Sequence, residues 1–267
     1  MRAASRVPHA RASPDRHALP YPTDTVAAIP PPPLALLALE PVRAFADWVH
    51  LRFASALPTV GDGHPVLVFA GLQGDSIVTR ALCGALDAAG YASHDGQARV
   101  RWSRPDSTER LLGRLEDRLV RTHETGGRAV SLVGWSAGGL LARALALRAP
   151  ELVRQVVTLG TALRGPRDTR PSCLQGDALQ TQGWFEGSRA DPTGTVPITS
   201  IYSRSDGVVA WQACLQPLGL RSENIDAGPV GHLGMPTSAR VLRIVVERLA
   251  QPEGQWQRLT DTVPRGS

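Results

Sequence analysis

The stretch Ala129-Val130-Ser131-Leu132-Val133-Gly134-Trp135-Ser136-Ala137-Gly138 decides how the chain folds. Its first half, Ala129 to Val133, is a short apolar run, the pattern of a parallel strand buried on both faces. Its second half fits G-x-S-x-G. A small-residue helix, Ala137 to Arg148, follows directly and is stopped by Pro150. Strand, sharp turn and helix are the context the five-residue motif requires. Such a turn strains the dihedrals of its central serine, and a Cβ at either flanking glycine would clash. The turn lifts Ser136 clear of the sheet, and the helix that follows aims free N–H groups at it.

A serine hydroxyl is a poor nucleophile near neutral pH and needs a base. In chains of this pattern the order is serine, then acid, then histidine. Of seven histidines only His232 follows Ser136, in the loop Gly228 to Pro236 between a short strand and the final helix. The acid must hold the imidazole in one tautomer. Asp168, Asp177, Asp191, Asp206 and Asp226 all stand between Ser136 and His232. Asp206 is preferred because it follows the strand Pro197 to Tyr202, and sites in open α/β sheets gather beyond the carboxyl ends of strands. Asp168, Asp177 and Asp191 fall in an irregular segment, and Asp226 lies inside the last strand. An oxyanion hole needs two backbone N–H groups. Ala137 supplies one. The loop Ala70-Gly71-Leu72-Gln73-Gly74 supplies the other, assigned to Leu72. Gln73 is either a side-chain contact or a plain loop residue. Trp135, Trp184, Phe185 and Trp211 are the candidate substrate contacts, although aromatics in such places serve equally as packing.

Outward from this centre, strands and helices alternate. Val66 to Ala70 reads as a strand, and Asp75 or Ser76 as the cap of a helix that runs to Gly90. Arg99 to Trp102 reads as a weak second strand. Ser107 to His123 carries Leu111, Leu112, Leu115 and Leu119 on one face and ends at Gly126-Gly127. Further strands are Val153 to Leu159, Pro197 to Tyr202 and Asn224 to Ala227. Thr237 or Ser238 caps a last helix ending near Ala250. Ala35 to Leu57 reads as an outer helix interrupted at Pro41. The alternation predicts a doubly wound, mostly parallel α/β sheet. It breaks over 161–196, a segment expected to form a lid. The organisation expected is a loosely packed arm over 1–33, one domain over 34–258 and a tail over 259–267 whose end reads as a protease-site scar.

The composition excludes other chemistries. A chain of 267 residues, 42% hydrophobic, can bury one sizeable core. Its net charge is +5, but the arginines are spread among Asp and Glu, with no basic cluster interleaved with aromatics. A nucleic-acid partner is therefore not expected. No lysine is present, which removes P-loops, Schiff bases and Ser–Lys dyads. No pair among Cys83, Cys173 and Cys214 has metal-ligand spacing, and a Cys173–Cys214 disulfide depends on whether their loops meet. No segment reads as a secretory signal or a membrane span, so a cytoplasmic location is expected.

His64 to Gly74, Val130 to Gly160 and Pro197 to His232 together resemble the bacterial α/β-hydrolase superfamily, specifically its esterase and lipase-like members. The oxyanion loop reads Ala70-Gly71 where many lipases have His-Gly. The resemblance implies the α/β-hydrolase fold and a triad of Ser136, Asp206 and His232. It implies a small-molecule ester as substrate and requires no cofactor or metal. An acyltransferase, a thioesterase or a non-catalytic binding protein on this fold are the competing readings.

Overall fold

The computed structural model describes residues 29–54, 56–70, 76–96, 105–163, 194–217 and 219–259. Among them, six strands form one sheet: β1 (Pro65–Phe69), β2 (Ala92–Asp95), β3 (Val130–Trp135), β4 (Val153–Leu159), β5 (Ile198–Tyr202) and β6 (Ser222–Asp226). Their spatial order is β2-β1-β3-β4-β5-β6, and every pairing is parallel. β1, β4 and β5 are buried at every residue, and burial on both faces explains why β1 reads as a continuous apolar run rather than an alternating one.

Among the described residues five α-helices flank the sheet: α1 (Leu34–Phe53), α2 (Ser76–Ala88), α3 (Pro105–Gly126), α4 (Ala137–Arg148) and α5 (Ala239–Leu249). The two-residue period of β1 splits its side chains between two layers. Val66 and Val68 pack with Leu82 and Leu86 of α2 and with Val241, Leu242, Val245 and Val246 of α5. Leu67 and Phe69 pack with Leu111, Leu115 and Leu119 of α3 and with Leu141 and Leu145 of α4. The sheet is thus doubly wound, as its alternation of elements predicts. The strand order reverses at β1, between β2 and β3, and sheets of this kind hold their sites beyond the carboxyl ends of the strands at such a point.

Two local expectations need correction, and a third falls on residues that are not described. The second strand is Ala92–Asp95, upstream of Arg99 to Trp102, and the latter lies outside the described residues. Being short and largely exposed, β2 lacks the apolar run that marks the central strands. α1 is continuous through Pro41. Proline removes one helical N–H, and the side chains of Glu40 and Arg43 anchor the same turn to the loops beyond β5 and β6. Ser238 occupies the N-cap of α5 without making a side-chain cap bond, while the Thr237 hydroxyl donates to the Gly234 carbonyl at 3.3 Å. The arm over 1–28 and most of the lid, 164–193, lie outside the described residues, as does Cys173. Cys214 is buried. Among the described residues no helix is long and apolar enough to cross a membrane.

Candidate active site

Ser136 stands between the end of β3 and the start of α4, with φ 55° and ψ −128°. Among the described residues it is the one non-glycine with positive φ, a conformation held only where surrounding contacts enforce it. Those contacts are present. Its N–H donates to the Leu159 carbonyl at 2.8 Å, and its carbonyl accepts from the Gly139 N–H at 3.0 Å. The Thr161 hydroxyl donates to the same carbonyl at 2.9 Å. A Cβ on Gly138 would overlap the Phe69 carbonyl. Glycine there lets α4 begin against the end of β1.

His232 lies between β6 and α5 and is 3% exposed. Its Nδ1 is 2.7 Å from Asp206 Oδ2, and its Nε2 is 3.1 Å from Ser136 Oγ. A carboxylate oxygen only accepts, so Nδ1 carries the proton and the Nε2 lone pair faces the serine hydroxyl. Asp206 follows β5 in a tight turn. Its Oδ1 accepts from the Val208 and Val209 N–H groups at 2.8 and 2.7 Å, which aims Oδ2 at the imidazole. Burial pushes the His232 pKa down. The Asp206 carboxylate, by charge and hydrogen bond, and Glu40 by charge outweigh burial and hold it above its ordinary value.

Of the other candidate aspartates, only Asp226 lies among the described residues. Asp226, at the end of β6, is 3.1 Å from Arg204 Nε and accepts from the Gly228 N–H at 2.8 Å, so it is engaged away from His232. Asp168, Asp177 and Asp191 lie outside the described residues, as do Leu72, Gln73, Trp184 and Phe185. Ala137 opens α4 directly after the serine. Trp135 donates from Nε1 to the His232 carbonyl at 3.1 Å, with the two rings 5.6 Å apart. It therefore braces the histidine loop. Trp211 stacks on Tyr202 at 5.6 Å and carries Arg204 over its ring at 4.8 Å, so its aromatic faces are used for packing.

Two features escaped the sequence reading. Glu40, buried on α1, accepts three backbone hydrogen bonds from the loops of Asp206 and His232. A second Asp–His–Ser array sits at the opposite end of the sheet. His64 Nδ1 is 2.5 Å from Asp62 Oδ1, and Nε2 is 2.8 Å from Ser131 Oγ. His64 and Ser131 are fully buried, and Ser131 lies in the regular strand β3, so no substrate reaches its hydroxyl. Burial pushes the His64 pKa below its ordinary value against the opposing pull of Asp62. This array satisfies buried polar groups. Among the described residues no cluster of His, Cys, Asp and Glu could hold a metal ion.

No curated protein sequence matches the chain. The family model of the alpha/beta hydrolase fold matches residues 107–225, a span that holds Ser136 and Asp206 and ends before His232. Aspergillus fumigatus lipase B is 16% identical with a TM-score of 0.57, the likeness covering 75% of this chain and 57% of that one. This chain thus spans little more than half the length of that lipase. Bacillus licheniformis lipase BlEst2 is 17% identical with a TM-score of 0.54, covering 73% of this chain and 93% of that one. The metagenome-derived lipolytic enzymes LipS and LipT give 16% identity, a TM-score of 0.53 and coverage of 73% and 97%. At these identities the likeness is one of fold. With its doubly wound parallel sheet, its serine on a strand-to-helix turn and the family model matched over 107–225, the chain has the α/β-hydrolase fold, and the solved folds it resembles are those of lipases and esterases.

Proposed function

We propose that the chain is a serine hydrolase that cleaves carboxylic esters through an acyl-enzyme on Ser136. The observation that carries this reading is the convergence of three elements on one proton path: Asp206 Oδ2 at 2.7 Å from His232 Nδ1, and His232 Nε2 at 3.1 Å from the hydroxyl of a serine on a strained turn. In the proposed reaction Ser136 Oγ attacks the ester carbonyl carbon as its proton passes to His232 Nε2. The imidazolium then returns that proton to the departing alkoxide, which leaves as the alcohol. Water, deprotonated by the same Nε2, attacks the acyl carbonyl, and the acid product leaves as Ser136 regains its proton. Asp206 fixes the tautomer and balances the transient positive charge. The Ala137 N–H at the start of α4, and the Leu72 N–H of the loop after β1, are assigned to the negative oxygen of the tetrahedral intermediate.

The test is turnover of an ester panel graded by acyl chain length, in the presence and absence of a competing alcohol. The expected result is hydrolysis by the intact chain and a loss of about 10³-fold or more in Ser136→Ala. Undiminished turnover in Ser136→Ala would overturn the assignment. Ester products formed with the alcohol in place of acid would make the chain an acyltransferase.

A further inference from the structure

We propose that Glu40 of α1 is a positioning residue of this site: its carboxylate ties the Asp206 loop to the His232 loop and sets a second negative charge beside the imidazole. The inference rests on reading His232 as the base.

Glu40 is 1% exposed. Its Oε1 accepts from the Gly207 N–H at 2.7 Å and from the His232 N–H at 2.9 Å, and its Oε2 accepts from the Leu233 N–H at 2.9 Å. Gly207 follows Asp206 directly, and the His232 N–H is the base's own amide. One side chain therefore grips the backbone of both residues that act on Ser136. Burying a carboxylate is strongly unfavourable unless charge-assisted hydrogen bonds replace its water, and three such bonds are present.

Both loops are shaped for this contact. A Cβ on Gly231 would come within 2.8 Å of Glu40 Oε2, and one on Gly207 within 2.5 Å of the Leu36 carbonyl carbon. The neighbours of Glu40 on the inner stripe of α1 extend the clasp. Arg43 donates from Nη1 to the Ser205 carbonyl at 2.8 Å. The Asp47 carboxylate packs so tightly on Gly234 that a Cβ there would overlap it. Positions 40, 43 and 47 share one helix face, so α1 as a unit holds the two loops in register.

Charge separates this role from simple bracing. When the serine proton reaches Nε2, the imidazolium stands between Asp206 at Nδ1 and Glu40 behind the backbone of its own loop. These two carboxylates, one from the turn after β5 and one from α1, are the charged groups that raise the His232 pKa. Arg43 and Asp47, one and two turns further along α1, carry opposite charges. Trp135 and Met235, which pack nearby, are neutral. A glutamine at position 40 keeps the shape but removes the charge and turns an amide NH₂ toward an N–H donor.

The experiment is an NMR titration of the His232 imidazole in the full chain, assigned by its absence in His232→Asn, for wild type, Glu40→Gln and Glu40→Asp, with kcat and KM for an ester measured in parallel. Glu40→Gln is expected to lower the His232 midpoint by about half a pH unit. It is expected to reduce kcat about tenfold or more with little change in KM, as misplacement of a base does. Glu40→Asp keeps the charge and shortens the reach, so its midpoint stays near wild type while kcat falls. A Glu40→Gln midpoint equal to wild type would overturn the proposal. Should Glu40→Gln fail to fold, Glu40→Asp decides, and a midpoint displaced well below wild type would overturn the proposal. The titration needs no substrate. A wild type that turns over no ester would therefore defeat the proposed activity and still leave the role of Glu40 to be judged by the midpoints.

Discussion

Asp206 and Asp226 end neighbouring parallel strands, yet their partners differ. Asp206 spends one oxygen on the Val208 and Val209 amides and the other on His232, while Asp226 faces Arg204 and the Gly228 amide. Asp206→Asn is therefore expected to lower kcat by about 10⁴-fold, because an amide in place of Oδ2 permits the wrong tautomer of His232. Asp226→Asn removes a surface ion pair worth at most about 1 kcal/mol and is expected to leave kcat within about twofold. Steady-state kinetics on both variants checks this, and the reverse ranking would move the acid to Asp226. The charge balance around His232 also fixes the direction of the pH dependence. As the proposed base, His232 would act when neutral, and its pKa is held above the ordinary 6.5. Activity is thus expected to be constant on the alkaline side and to fall as pH drops through a midpoint above 6.5. A kcat/KM profile with its acid limb below 6.5 would contradict that balance.

At the scale of elements, the strand–turn–helix around Ser136 was legible because its signals are local. An apolar run, two glycines and a small-residue helix lie within one short stretch, and α4 spans Ala137–Arg148 as expected. His232 was picked by chain order, and the fold brings its Nε2 to 3.1 Å from Ser136 Oγ. β2 was not, since an edge strand with exposed residues carries no apolar period. Nor was the second Asp–His–Ser array, whose partners are brought together only by the pairing of β1 with β3. The contrast between the two arrays is physical. Ser136 sits at a carboxyl end on a strained turn, whereas Ser131 is sealed inside a strand. Ser131→Ala strips a partner from the buried His64 Nε2 and is expected to cost roughly 1–3 kcal/mol of stability with kcat unchanged. Urea unfolding and an ester assay on the same sample check both halves. A large loss of turnover without loss of stability would give Ser131 a catalytic part that its burial denies.

Across the whole molecule, the doubly wound sheet followed from the alternation of elements, and the two packed layers from the period of β1. What no local pattern could reveal is the return of α1 to the site. Glu40 bonds to an amide 192 residues further along the chain, and nothing in the spacing of Ala35 to Leu57 distinguishes that glutamate from a solvated one. Contacts of this length come from tertiary packing rather than from any motif. The same holds for Trp135 and Trp211, read as substrate contacts, whose hydrogen bond and stacking serve the loops that carry His232 and Asp206. If the fold activates Ser136, that serine alone should react with an acyl-serine probe. The most direct test is labelling of the folded full chain with a fluorophosphonate, followed by peptide mass mapping, beside a denatured sample and Ser136→Ala. One adduct is expected, on Ser136, and it disappears on denaturation and in the variant. A folded chain with no adduct, or with its adduct on another serine, would contradict that expectation.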